Sequence, residues 1–335
     1  MRTVPMVLLV VVVLSSVDAM PASAEPPVHT YSIVARDPAT GELGVAVQSH
    51  WFSVGSIVTW AEAGVGAVAT QSFVDPAYGQ RGLALMKAGR PAPEALAELL
   101  AADAQRDVRQ VAMIDALGRV NAHTGAKAIP AAGHRVVANE RHQYSVQANL
   151  MANDRVWPAM AEAFERATGD LAERLLAALD AAQAVGGDIR GKQSAAILVV
   201  RPTSTGRPWA GADRVFDLRV DDHPDPLVEL RRLVRLQRAY ALANRGDELV
   251  AENEIAAALD AYRGAGDLAP EILELPFWQA VTLASIGREQ EAAPIFRRVF
   301  EREPDWADLV PRLPKAGLLP EDPALISRIV ALRAK

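Results

Sequence analysis

Short apolar runs rich in Val, Ile and Ala occupy most of the first two thirds of the chain, and the spacing of amphipathic helices takes over in the last third. Residues 31–36 and 43–48 flank a Pro/Thr/Gly turn, which predicts a hairpin at the start of the folded part. Runs at 56–62 and 65–71, separated by Ala63 and Gly64, predict a second strand pair covered on both faces. A loop over 73–79 leads to helices at 80–87, ended by Gly89, and 93–102, with Pro93 in its first turn. Strands at 110–115 and 120–124 enclose a turn at Leu117 and Gly118, and two more are expected at 135–137 and 144–149. Amphipathic helices follow at 156–167 and 170–185, the second with Leu171, Leu175 and Leu179 on one face. Strands at 194–201 and 215–220 close the set. Strands, two helices, then strands again is the order of a layered α+β sandwich.

A long helix over 226–244 ends that unit. Beyond it the composition turns to Ala, Leu, Glu and Arg, and Ala258, Tyr262 and Pro270 recur 34 residues later as Ala292, Phe296 and Pro304. That is the tetratricopeptide period. Gly246 and Gly287 would occupy the same turn if the first repeat carries an insertion around 249–254. Two repeats bury little alone, so the 226–244 helix and the tail over 305–332 are expected to cap them. Such a module either binds a protein or peptide partner or packs on its own domain or on a second copy, as a homo-oligomer.

Charge and the first residues add the compartment. With 335 residues, half of them hydrophobic, and a net charge of −6, the chain has no electrostatic footprint for nucleic acid. Arg2, an apolar run over 7–14 and the small residues Ala22, Ser23 and Ala24 predict a signal peptide over 1–24 cleaved after Ala24, with Ala19 as the second choice. The run is shorter than the ~20 residues of a membrane span. Export to the periplasm or beyond, without a membrane anchor, is expected. The absence of cysteine removes disulfides and a thiol nucleophile.

Thr30 heads the first strand. A hydroxyl there is the place for a nucleophile served by its own α-amine, whose ordinary pKa near ~8 leaves much of it unprotonated at neutral pH. The same residue also suits an ordinary strand start, and the local pattern leaves both readings open. Cleavage after Ala24 would leave 25–29 in front of Thr30, so a second cut is required for the first reading.

The segments 30–37, 41–47 and 64–71, followed by Gln147-Ala148-Asn149-Leu150, by 186–194 and by 217–224, resemble domain-of-unknown-function family 1028 over about residues 29–240. The resemblance implies a fold grouped with the N-terminal nucleophile hydrolases, an αββα sandwich of two antiparallel sheets between helical layers, and leaves the reaction open. In that superfamily a basic residue often lies near the nucleophile; no Lys stands at Ser49 or His50 here.

His50 ends the second strand, level with the start of the first, where Ser49 or His50 can approach Thr30. It is catalytic or a tether for the Trp51 loop. Asn149 and Gln147 end another strand, and a side-chain amide there can donate to an oxyanion. Thr70, Gln71 and Ser72 offer a backbone donor. Residues 186–192 spell Gly-x-x-x-x-Gly-Lys, but Gln193 follows and the segment lies after a helix and before a strand, so a phosphate loop is rejected. Asp188 and Arg190 are expected to brace that loop and to present Gln193 and Ser194. Asp221, Asp222, His223 and Asp225 offer a metal site or, with Pro226, a helix cap, the second being preferred. His123, Thr124 and Gly125 read as a turn before a site.

The pattern predicts a layered α+β domain over 29–244, which the resemblance implies is an αββα sandwich, and a small all-α helical-repeat domain over 245–335. Its expected function is hydrolysis of an amide bond in a small molecule or peptide. The catalytic candidates are Thr30, His50 and Asn149, and the substrate-binding ones Ser32, Ser49, Gln71, Gln147, Gln193, Ser194, Arg219 and Asp221. No cofactor or metal is called for. Two alternatives stay open: a non-catalytic scaffold that binds a partner through the repeats, and a metal-dependent hydrolase built on His50 and the Asp221 cluster.

Overall fold

The computed structural model describes residues 30–207 and 211–333. The expected signal peptide and cleavage site lie outside the described residues. Among these residues no helix is long and apolar enough to cross a membrane.

The chain opens with β1 (Thr30–Arg36) and β2 (Leu43–Ser49), paired antiparallel from Thr30 against Ser49 to Arg36 against Leu43. Their turn is set by Gly41, at φ +78°, and by Asp37, whose carboxylate accepts from the Ala39 N–H at 2.9 Å. Where a single strand was expected over 56–62, a helical turn α1 (Gly55–Val58) precedes β3 (Thr59–Glu62). Then come β4 (Gly66–Ser72), α2 (Ala77–Lys87) and α3 (Ala92–Ala102). β5 (Arg109–Asp115) and β6 (Val120–Thr124) form a hairpin. Asp115 fixes it by accepting from the N–H groups of Leu117 and Arg119, and its other oxygen takes the Ala92 N–H at the start of α3. β7 (Gly133–Ala138) and β8 (Gln143–Ala148) pair next. Two helices follow, α4 (Val156–Arg166) and α5 (Leu171–Ala184), the latter capped by Asp170 onto the Glu173 N–H at 3.0 Å. β9 (Ser194–Val200) and β10 (Arg214–Val220) complete the strands.

The strands form two antiparallel sheets, one ordered β10-β9-β2-β1-β8-β7 and the other β3-β4-β5-β6. Side-chain parity explains how they stack. Val34 on β1, Val45 and Val47 on β2, Ala67 and Ala69 on β4 and Ala112 and Ile114 on β5 form one buried cluster between the sheets. Their neighbours point the other way. Ile33, Val146 and Ile197 pack with Phe164 of α4 and Leu175 and Leu179 of α5, while Val68, Val111 and Met113 pack with Leu83 of α2 and Leu96 of α3. Both faces of the central strands are covered, so β2 and β4 are buried at every residue.

The helical region follows: α6 (Pro226–Ala251), α7 (Ile255–Leu268), α8 (Glu274–Ser285), α9 (Glu289–Arg302) and, after 3₁₀ turns, α10 (Pro323–Val330). α6 runs past the expected end at 244, and Gly246 lies inside it rather than in a turn. A Cβ on Gly246 would stand 2.6 Å from Cε1 of Tyr262, so the missing side chain lets α6 and α7 close up. Gly287 does lie in a turn, at φ +81°. Ala258 and Tyr262 on α7, like Ala292 and Phe296 on α9, are buried. Arg238 of α6 bonds to Asp170 at the cap of α5 and pairs with Glu173 inside α5, fastening the two regions together.

Candidate functional site

At one end of the six-stranded sheet the register brings four polar residues into a single row. Thr30 lies across from Ser49, Ser49 lies across from Ser194, and the Asn149 N–H donates to the Thr30 carbonyl at 3.1 Å. Residues directly opposed on antiparallel strands share a face. Thr30 has the parity of Val34, Ser49 that of Val47, and Ser194 that of Ala196, so the row faces the other sheet. All four residues are fully buried. One step inward the row reads Ala196, Val47, Ser32, Gln147, and two steps inward Leu198, Val45, Val34, Ser145. Polarity is therefore concentrated at one end of an otherwise apolar interface.

The opposing sheet answers with Gln71 and Gln110, directly across from one another on β4 and β5. They occupy the parity that carries Ala69 and Ala112 further in. Ser145 donates to Gln147 at 2.9 Å, Gln147 to Ser32 at 2.6 Å, and Ser32 to Gln71 at 2.6 Å. The Gln71 amide then donates to the Thr30 carbonyl at 3.0 Å and to Gln110 at 2.7 Å. Gln110 Oε1 also accepts from Asn149 Nδ2 at 2.9 Å, and Gln110 Nε2 reaches the Ala148 carbonyl at 2.9 Å and Thr124 Oγ1 at 2.9 Å. Thr124 is thus part of strand β6 and of this network, not of a turn. Donors and acceptors run in one direction through amides and hydroxyls, an arrangement in which each bond polarises the next. The network holds the Thr30 peptide in place.

The backbone is strained where the chain leaves this end. Of the four described non-glycine residues at positive φ, Ser53, Ser72 and Leu150 border the row, Ser72 directly after Gln71 and Leu150 directly after Asn149. The left-handed region costs such residues about 1–2 kcal/mol each. The buried Ser72 hydroxyl has no hydrogen-bond partner among the described residues.

The remaining candidates lie outside the row, and Ser194 stands at its end. His50 is exposed; its N–H donates to Asp188 at 3.1 Å, and a Cβ on Gly191 would meet its ring at 3.2 Å. Asp188 also takes the Arg190 N–H and guanidinium, bracing the loop as expected. Ser194 donates to the Trp51 carbonyl and accepts from the Val54 N–H at 3.1 Å, which ties down the loop after β2. The Gln193 N–H bonds to the Ser49 carbonyl and its side chain to Asp222. Arg219 lies near Asp217, and Asp221 accepts from the Ser53 hydroxyl at 2.7 Å. Asp225 precedes α6 but its side chain does not cap it; it pairs with Lys192, which holds its carboxyl below the usual range. His223 Nδ1 accepts from the Asp225 N–H. Among the described residues no three His, Asp or Glu side chains group as a metal site.

Gln110, Ser145 and His134 escaped the sequence reading. His134 Nδ1 lies 2.8 Å from Thr124 Oγ1 and so ends the chain that runs from Ser145 through Gln71 and Gln110; desolvation, then the nearby His123, hold its pKa below the ordinary histidine value. The signal was present at Gln110, a polar residue on the inward parity of an apolar strand.

No curated protein matches the chain. Among solved structures it is similar to protein SPO2555 from Silicibacter pomeroyi, at 31% identity and a TM-score of 0.53, over 61% of this chain and 84% of that one. That protein is described as a member of the same family of unknown function whose pattern matches residues 30–230 here. The match takes in every strand among the described residues and the whole polar row, and the chain belongs to the family of unknown function DUF1028.

Proposed function

We propose that this chain is an exported hydrolase of the N-terminal nucleophile type, its strand region an αββα sandwich and its helical region a short tetratricopeptide-like module. The substrate class is an amide in a small molecule or peptide. The observation that carries the reading is the row Ser194, Ser49, Thr30, Asn149, buried at one end of the sheet interface and faced by Gln71 and Gln110. Buried amides and hydroxyls cost stability unless satisfied, and a fold that needed only a core would fill this end with apolar side chains. The strained backbone at Ser72 and Leu150 supports the same view.

As an internal residue Thr30 carries an amide nitrogen, which is no base. Once the bond before it is cut, the α-amine takes the proton from Thr30 Oγ1 as that oxygen attacks the scissile carbonyl. Asn149 Nδ2 and backbone N–H groups receive the negative oxygen, and the leaving amine takes the proton. Water then hydrolyses the ester.

The full burial of Thr30 favours a second reading, the non-catalytic scaffold that binds a partner through its helices. A metal-dependent hydrolase loses ground because Asp221, His223 and Asp225 are engaged with Ser53, a backbone N–H and Lys192.

A β-lactone probe separates these. Thr30 Oγ1 attacks the lactone carbonyl, the ring C–O bond breaks, and the ring oxygen leaves as a hydroxyl with the proton carried by the amine. An adduct of the lactone's full mass on Thr30, absent in Thr30→Ala, is expected. A mature chain that remains unlabelled contradicts the nucleophile.

A further inference from the structure

The helical region holds a groove of about 600 Å³ between α6, α8 and the turn at Gly317 and Leu318. It shares no residue with the polar row, so its occupancy is independent of the chemistry of Thr30. Tyr240, Tyr262 and Trp278 supply aromatic rings to its walls, and Asp247 and Glu274 supply carboxylates. Among the described residues no Lys, Arg or His lines it. The carboxylates accept from neutral donors: Tyr240 Oη reaches Glu274 at 2.8 Å, Trp278 Nε1 reaches its other oxygen at 3.3 Å, and Tyr262 Oη reaches Asp247 at 2.5 Å. Leu318, 45% exposed, and Tyr240, 36% exposed, form an apolar rim.

Aromatic faces beside carboxylates that hold only neutral donors attract organic cations, through ring quadrupoles and charge-assisted hydrogen bonds. The two acids stand on different helices, and among the described residues they join no metal-binding group. A planar guanidinium fits better than an ammonium, because it stacks on rings and forks onto carboxylates. Leu318 and Tyr240 also expose apolar surface at the rim of the groove, and a free cation would leave that surface uncovered. We propose that this groove binds an arginine-bearing peptide segment whose flanking side chains are apolar. The occupant is fixed by charge complementarity, positive against an acidic, aromatic wall.

The full chain is tested on two arrays of end-blocked heptapeptides, with Arg or Glu fixed at the centre and Ala, Leu, Val or Tyr around it. Binding to the Arg array, absent from the Glu array and weaker at high salt, is expected. Glu274→Gln and Asp247→Asn should each weaken it about tenfold, the size expected for losing a hydrogen bond to a charged group. Leu318→Ser, a change at an exposed turn that leaves the helices alone, should weaken it too. Equal binding to both arrays, no binding, or unchanged binding in all three variants overturns the proposal. Competition by ethylguanidinium at the peptides' own concentration overturns the peptide assignment.

Discussion

Thr30 and Ser49 stand directly across from each other on β1 and β2, fully buried and on the face that meets the second sheet. Ser194 extends that pair on one side, and Asn149 reaches the Thr30 carbonyl on the other. The cross-strand row follows from register alone. A one-residue slip of β1 would turn Thr30 toward the helices and bury Tyr31 between the sheets.

Asn149 is proposed to receive the oxyanion. Asn149→Ala should slow acylation by the β-lactone by about 10²-fold, the typical loss for one oxyanion donor. Labelling rate by intact mass, with circular dichroism to show that the variant is folded, checks this. An unchanged rate would confine Asn149 to holding the Thr30 peptide.

Gln71 and Gln110 bond to each other and to Thr30, Asn149 and Ala148. Replacing either with Leu strands buried partners, so Gln71→Leu and Gln110→Leu should each destabilise by about 1–3 kcal/mol. The double variant should cost less than the sum, since one change already removes their shared bond. Urea denaturation of the three variants beside the unsubstituted protein measures both effects.

These two amides show what the sequence made legible and what it did not. The strands were readable because apolar residues alternate or run continuously along them, and Thr30 with Ser49 was readable because one hairpin joins them. Gln110 and Ser145 are brought to that hairpin by distant pairings, and a lone polar residue on a strand resembles a solvated one. Gly246 misled for a different reason. Its neighbours favour helix, and the glycine serves the close approach of Tyr262 rather than a turn. Asp225 met the pattern of a cap, yet Lys192 from a distant loop captures its carboxylate.

Ser72 holds φ at +71°. Ser72→Gly should stabilise the protein by ~1 kcal/mol, the relief of a left-handed non-glycine residue less the added freedom of the unfolded chain. If the strain serves the site, the more stable variant labels more slowly with the lactone. Thermal unfolding and labelling rate are read together.

His134 titrates below the ordinary histidine value. Gln110 donates to Thr124, whose hydroxyl also lies within hydrogen-bond distance of His134 Nδ1. The unfolded chain takes up the proton first as pH falls below about 6.5, so the stability contributed by the neutral ring is present above that pH and lost beneath it. His134 as a whole residue is exposed at its strand edge, so solvent screens the effect and keeps it small. It appears as a shallower acid slope in His134→Gln, measured by urea denaturation between pH 7 and pH 5.

The most direct test is the intact mass and first residue of the protein recovered after export. Processing that frees the proposed nucleophile predicts a chain beginning at Thr30. A stable, folded chain beginning at Glu25 would contradict the account.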